Sequence, residues 1–183
     1  MIDSAKKKRF QSLMLPHLNS AFNLACWLTR SRQDAEDVVQ EAYLRAFKFF
    51  DGFHGDDARA WLLTTVRHTF YTWYHENRGQ RQNTSFDEEL HSFEAMDATG
   101  LLPQADNNPE ALLMRRDSER LLQQALEALP VEFREVMVMR ELEELSYKQI
   151  AGIVGIPIGT VMSRLGRGRR LLAKILAPSN QEQ

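Results

Sequence analysis

The chain has 183 residues, 43% hydrophobic and 26% charged, with a formal net charge of −2. This is ordinary globular composition, enough to bury a core in one larger or two small domains. The lone Cys26 excludes an internal disulfide, and no run approaches the roughly 18 apolar residues of a membrane span, so a chain kept in the cytoplasm is expected.

The distribution of charge says more than its sum. Residues 1–82 hold 12 Lys/Arg against 9 Asp/Glu, residues 83–114 hold seven acids and no base, and residues 115–183 hold 11 bases against 9 acids. A basic–acidic–basic layout predicts two modules with a different kind of segment between them.

Taken in chain order, the pattern is helical. Phe10, Leu13, Met14, Leu18, Ala21, Phe22, Ala25 and Leu28 recur at three- and four-residue spacing and predict a first helix, with Cys26 as a buried thiol on it. A second helix is predicted from Asp34, a good N-cap, to about Phe50, with Val38, Val39, Ala42, Tyr43, Ala46, Phe47 and Phe50 as its apolar stripe. Its acids come early (Asp34, Glu36, Asp37, Glu41) and its bases late (Arg45, Lys48). Complementarity to the helix dipole and a protein-docking face explain that order equally well. The loop Asp51–Asp57 carries two glycines. A third helix follows to about Asn77, with Leu62, Val66, Thr69, Phe70 and Trp73 inward. Its outward face sets Thr64, Arg67, His68, Tyr71, His75 and Arg78 together, with Arg59 and Trp61 near the start. Cations among aromatic rings suit single-stranded nucleic acid, because bases stack while cations follow the backbone; the rings could equally be core.

Residues 79–110, with their glycines, prolines and acids, read as an extended linker in which Phe86, Leu90, Phe93, Leu101 and Leu102 are possible sticky points. Helical spacing returns with Leu121, Leu122, Ala125, Leu126 and Leu129. Pro130 then opens a helix carrying Phe133, Val136, Met137, Met139 and Leu142. Ser146 and Gln149 form a capping box for a short helix with Ile150, Ala151 and Val154 inward, which Gly155 and Pro157 end. The last helix places Val161, Leu165, Leu172, Ile175 and Leu176 on one side. Thr160, Ser163, Arg164, Arg167, Arg170 and Lys174 lie on the other. Six Lys/Arg and no acid fall between Ser146 and Ala177, so a short helix, a tight turn and a basic second helix spell a DNA-binding helix-turn-helix. Five scattered histidines, no Cys/His cluster and no phosphate-cradling glycine loop predict no catalytic, metal or cofactor site.

Five blocks resemble one family. Asp34–Phe47 resembles the polymerase-binding helix of extracytoplasmic-function (ECF) sigma factors, and Ala60–Arg67 the start of their promoter-melting helix. Leu129–Val136, Leu145–Ala151 and Gly159–Leu165 are similar to their C-terminal domain. The resemblance implies an all-α fold of two small helical domains joined by an acidic flexible linker. Residues 1–82 bind polymerase and recognise and melt the minus-10 element, 83–110 form the linker, and 111–178 form the helix-turn-helix domain for the minus-35 element.

The partners it implies are core RNA polymerase (the beta-prime clamp helices and the beta flap), promoter DNA and an anti-sigma factor, without membrane insertion. Asp37, Gln40, Glu41 and Arg45 would contact polymerase. The Gly52–Asp57 loop, with Phe53, His54 and Asp56, would receive a base flipped from the minus-10 element. Arg59, Trp61, Arg67, His68 and Tyr71 would hold the opened strand. The minus-35 duplex would meet Thr160, Met162, Ser163, Arg164, Arg167 and Arg170. The linker would run toward the RNA exit path, its acids mimicking nucleic acid. Two positions depart from the family pattern: Met162, where Lys or Arg is usual, and Gly166, where a larger residue is usual. Base contacts then rest on Ser163 and Arg167, with Met162 against a thymine methyl. The competing readings are a stand-alone helix-turn-helix regulator and a helical adaptor that never meets DNA.

Overall fold

The computed structural model describes residues 4–81 and 109–177. Among them there are helices and short turns and no strand. Of the residues 79–110 read as linker, 79–81 end one helix and Pro109 and Glu110 open another, which corrects the extended reading at both ends; the rest lie outside the described residues.

Helix α1 (Ser4–Met14) ends at a 3-10 turn over Leu15–His17, and α2 (Leu18–Thr29) continues from it. One continuous helix was expected here. Pro16 breaks it, because its ring nitrogen has no proton to donate to the preceding turn. Arg30 ends α2 with a left-handed φ of 57°, donating its N–H to the Cys26 carbonyl at 2.8 Å. Helix α3 (Arg32–Lys48) begins earlier than the predicted Asp34. Ser31 is the N-cap, its hydroxyl accepting from the Asp34 N–H, and Asp34 sits in the first turn. Helix α4 (Ala58–Arg81) is capped by Asp57, whose Oδ1 accepts from the Ala60 N–H at 2.9 Å. It outruns the predicted Asn77.

These four helices share an aromatic core. The Phe10 ring meets Phe47 and Phe50 edge-on at 5.1 and 5.2 Å, Phe50 stacks on Phe53, and Phe53 leans on Trp61. Cys26 is buried among these helices, and burial pushes its thiol up to about 11, so it stays protonated at neutral pH.

Helix α5 (Pro109–Ala128) leads to α6 (Val131–Met137), with Pro130 as the residue just before the helix rather than its first. A π-helical turn over Val138–Leu142 and a left-handed Glu144 (φ 54°) bring the chain to Ser146. The expected capping box is present: the Gln149 N–H donates to Ser146 Oγ at 3.1 Å, and the Ser146 N–H to Gln149 Oε1 at 2.9 Å. Helix α7 (Tyr147–Val154) ends at Gly155, whose φ of 74° is left-handed, and α8 (Ile158–Leu176) starts after Pro157. Leu129, Val136, Met139, Leu145, Ile150, Ile153, Val161 and Leu165 are buried here and join the same apolar cluster as the N-terminal helices.

Not every residue of the apolar stripes is covered. Leu121 and Leu122 on α5, and Ile175 and Leu176 on α8, are exposed. Helix α5 packs on α8 only toward its C-terminal end, at Ala125 and Leu126, so its earlier turns bury little.

The two helical groups are packed against each other. Helix α4 lies on α7, and α2 lies on α6. Buried Arg134 of α6 joins them, donating to the Glu127 and Leu129 carbonyls at 2.8 and 3.0 Å and to the Leu28 carbonyl of α2 at 3.4 Å. The positive guanidinium thus sits at the C-terminal ends of α5 and α2, where carbonyl dipoles favour it. Its Nε finds no acceptor, and burial pulls its pKa down to about 10.

Candidate nucleic-acid interface

Three surfaces correspond to the residues singled out above. The first is the outer side of α8. Val161, Leu165 and Gly168 face inward, which turns Met162, Ser163, Arg167 and Arg170 outward and leaves them exposed. A Cβ on Gly168 would lie 3.0 Å from Met137 Cγ, so α8 runs close against the Met137 side chain of α6 there. Thr160 is half-buried. Arg164 is half-buried too, its Nη1 lying 3.9 Å from Glu135 Oε1. Arg169 points aside to Glu141 at 2.7 Å. Arg167 and Arg170 have no ion pair among the described residues. The result is an exposed cationic ridge with Met162 standing 54% exposed near its start. The other departure, Gly166, has open space around its Cβ position.

The second surface is α4 with the loop before it. Phe53 is packed in the aromatic core and offers only its edge, whereas His54 and Asp56 are exposed. Together with Trp61 and Thr64 they line a cleft of about 640 Å³, whose other wall is Lys148, Gln149, Gly152 and Ile153 of the second helical group. Asp57 Oδ2 accepts from Gln149 Nε2 across the cleft at 2.8 Å. The Ala60 N–H and then Gln149 hold the Asp57 carboxyl below the usual carboxylate range.

The cations of this face are occupied. Arg67 donates through Nε and Nη2 to Glu135 at 2.8 and 3.1 Å and lies over the Tyr71 ring at 4.6 Å. Burial works against the Arg67 charge, but the bonds and charge of Glu135 outweigh it and raise its pKa. Burial, with Glu135 beside it, pushes the Tyr71 hydroxyl up to about 12. Arg59 donates to Glu143 Oε2 at 2.5 Å and to the Glu143 carbonyl at 2.8 Å. Only His68 and His75 of the expected outward groups are fully exposed; the Arg78 side chain lies outside the described residues.

The third surface is α3, where Asp37, Gln40 and Glu41 are exposed in one row and Arg45 pairs with Glu41 at 2.8 Å. Leu44 stands 68% exposed in the same row and was missed. Its signal was an apolar residue three positions after Glu41, on the polar side of the helix. Also missed were Glu135, Glu143, Asn23 and Gln149, which join the two groups. Arg134 and Glu135, adjacent charges inside an apolar helix, were the one local hint of buried partners.

Comparison with known proteins bears on the family of the chain. Residues 13–80 match the family model Sigma-70 region 2, and residues 119–172 match Sigma-70, region 4. The ECF RNA polymerase sigma-E factor of Escherichia coli (strain K12) is 31% identical over 178 residues, covering 97% of this chain and 91% of that protein. The ECF RNA polymerase sigma factor SigE of Mycolicibacterium smegmatis is 30% identical over 98% of this chain, which spans 66% of that longer relative. Among solved structures, the sigma factor RpoE of Bartonella quintana, in complex with the anti-sigma factor NepR, superposes with a TM-score of 0.68 at 26% identity. That match covers 94% of this chain and 99% of that one. Two regions in the family's order, on an all-helical fold of the same kind, settle the family: the chain belongs to the ECF RNA polymerase sigma factors.

Proposed function

We propose that the chain, as a sigma factor, binds core RNA polymerase and carries it to promoters, gripping DNA at two places. The observation that carries this is the acid-free, exposed ridge of α8 in the same chain as a second cation–aromatic face on α4. Residues 111–178 read the minus-35 duplex: Met162, Ser163 and Arg167 reach bases, Arg170 neutralises phosphate, and Thr160 and Arg164 flank the contact. Residues 1–82 take the minus-10 element. A flipped base enters the cleft beside His54, Asp56 and Trp61, with Phe53 as its floor. Arg59, Arg67, His68 and Tyr71 hold the opened strand.

The α3 row of Asp37, Gln40, Glu41, Leu44 and Arg45 docks on the clamp helices of polymerase, with Leu44 as the apolar centre of a polar rim. Residues 83–110 link the two grips. No described helix is long and apolar enough to cross a membrane, and the chain acts in the cytoplasm as a non-enzymatic factor without a cofactor. An anti-sigma factor holds it inactive, by analogy with the Bartonella relative solved bound to one.

Run-off transcription with purified core polymerase on genomic fragments tests this. Defined start sites that depend on the chain are expected. Tight binding of the chain alone to a duplex operator, with no polymerase-dependent starts, would instead favour a stand-alone regulator.

A further inference from the structure

Arg134 is 4% exposed, and among the described residues its guanidinium bonds only to backbone carbonyls. Those bonds are uneven. Nη1 has two good acceptors, the Glu127 and Leu129 carbonyls, at 2.8 and 3.0 Å. The other edge has a single long bond, from Nη2 to the Leu28 carbonyl at 3.4 Å, and its Nε–H has no acceptor among the described residues. A Nε–Nη2 edge is a fork that fits a planar two-oxygen acceptor. Arg67 of the same chain uses its own Nε and Nη2 in this way, on Glu135 at 2.8 and 3.1 Å. Leaving a buried donor unused is costly. Burial, and next the charge of Arg30, pull the Arg134 pKa down to about 10, so the side chain keeps its charge at neutral pH.

Arg134 lines a cavity of about 290 Å³ between the end of α2, the middle of α4 and the turn from α5 to α6. Arg30 lines it too, exposed and held to the Glu127 carbonyl by another long bond of 3.4 Å. Phe70, Tyr74 and Val131 supply ring and aliphatic wall, and Glu127 is the acid among the lining residues. Two guanidiniums against one carboxylate leave the lining at +1, which suits a monoanion and penalises a dianion. Apolar walls with a few convergent polar groups are the usual make-up of a small-molecule site, and the volume falls at the low end of that range. We propose that this cavity binds a small aromatic carboxylate, its oxygens on the Nε–Nη2 edge of Arg134 and on Arg30, its ring against Phe70 and Tyr74. The two long bonds to carbonyls give way to shorter charge-assisted ones. None of these residues belongs to the three surfaces described above, so the site is independent of the roles proposed for them. The ligand touches α2, α4 and α6 at once, and its occupancy stabilises the fold by mass action.

Benzoate is the probe, titrated into the isotope-labelled full chain at constant ionic strength, with benzamide and inorganic phosphate titrated in parallel. The arginine Nε–H correlation spectrum reports on the fork, the Arg134 peak being assigned through its side-chain carbons, and the thermal midpoint is followed in the same solutions. Saturable movement of the Arg134 peak is expected with benzoate, with a Kd on the order of 1 mM and a raised midpoint. Benzamide lacks the charge and phosphate lacks the ring, so each should bind at least about tenfold more weakly. Arg30→Gln and Tyr74→Ala change exposed side chains, and circular dichroism verifies that their helix content is kept. Each should weaken benzoate about three- to tenfold. The absence of a saturable shift up to roughly 20 mM benzoate overturns the site. Phosphate binding as tightly as benzoate marks an adventitious ion only, and benzamide binding as tightly removes the carboxylate from the recognition; either result overturns the proposal. So does a benzoate affinity unchanged in both variants, which places the ligand elsewhere.

Discussion

The two cationic faces of this protein are built from the same residue types and end in opposite states. On α8, Arg167 and Arg170 project away from a helix whose inner side is already satisfied by its own helical group. On α4, Arg59 and Arg67 project just as far from their own group, but the neighbouring half fills the space with Glu143 and Glu135. A basic helix face is thus no measure of available charge. Availability is decided by what the rest of the chain lays over it, and buried pairs are screened little by salt while exposed cations are screened strongly.

That contrast can be broken in several ways. The largest effect is expected where α8 is seated. Gly168→Val drives a branched side chain into Met137 and Phe133 and should cost about 2–4 kcal/mol, read as a lower urea midpoint and loss of duplex binding. Arg134→Ala comes next. It strips the Leu28, Glu127 and Leu129 carbonyls of their shared donor and should cost about 2–3 kcal/mol in the same assay. It should also expose the α4 face, seen as faster amide exchange along α4.

Arg167→Ala should leave the midpoint unchanged while relaxing minus-35 discrimination by about 1–3 kcal/mol, read from transcription on promoter variants. Unaltered base preference would move the reading role off this residue. Asp37→Arg, with Leu44→Ala beside it, should each weaken co-purification with core polymerase by about 1–2 kcal/mol and leave helix content alone. The smallest effect belongs to Asp57. Its folded carboxyl titrates below the ordinary value, so its contribution is present above the usual carboxylate range and is lost as pH falls through the lowered value. The stability difference between the wild type and Asp57→Asn should therefore shrink on acidification.

What was legible beforehand follows from the range of each interaction. The helix-turn-helix is local: a Ser146–Gln149 cap, a left-handed Gly155, Pro157 and an acid-free ridge all lie within one stretch, and each appears in the structure where it was expected. Helix starts were less sharp. Ser31 and Asp34 are both good caps, and backbone geometry chose Ser31. The break at Leu15–His17 had its signal in Pro16, outvoted by an apolar spacing that runs straight through it. Contacts between the halves had almost no local signal, since Arg67 and Glu135 are separated by 68 residues and Asn23 and Glu143 by 120. The covered face of α4 was therefore read as open. Leu121, Leu122, Ile175 and Leu176 follow the helical spacing yet are exposed, because periodicity says which residues share a side, not whether anything packs against it.

The Gln149 side chain has a consequence for how the molecule comes apart. Its oxygen completes the start of α7 and its nitrogen reaches Asp57, the residue that completes the start of α4. Two helix beginnings, one in each helical group, are thereby wired into a single relay from Ala60 to Ser146. Fraying one end removes a partner from the other, so melting of the two helical groups is thermodynamically coupled. A calorimetric scan should accordingly give one cooperative endotherm, and Gln149→Ala should lower its midpoint slightly without splitting it.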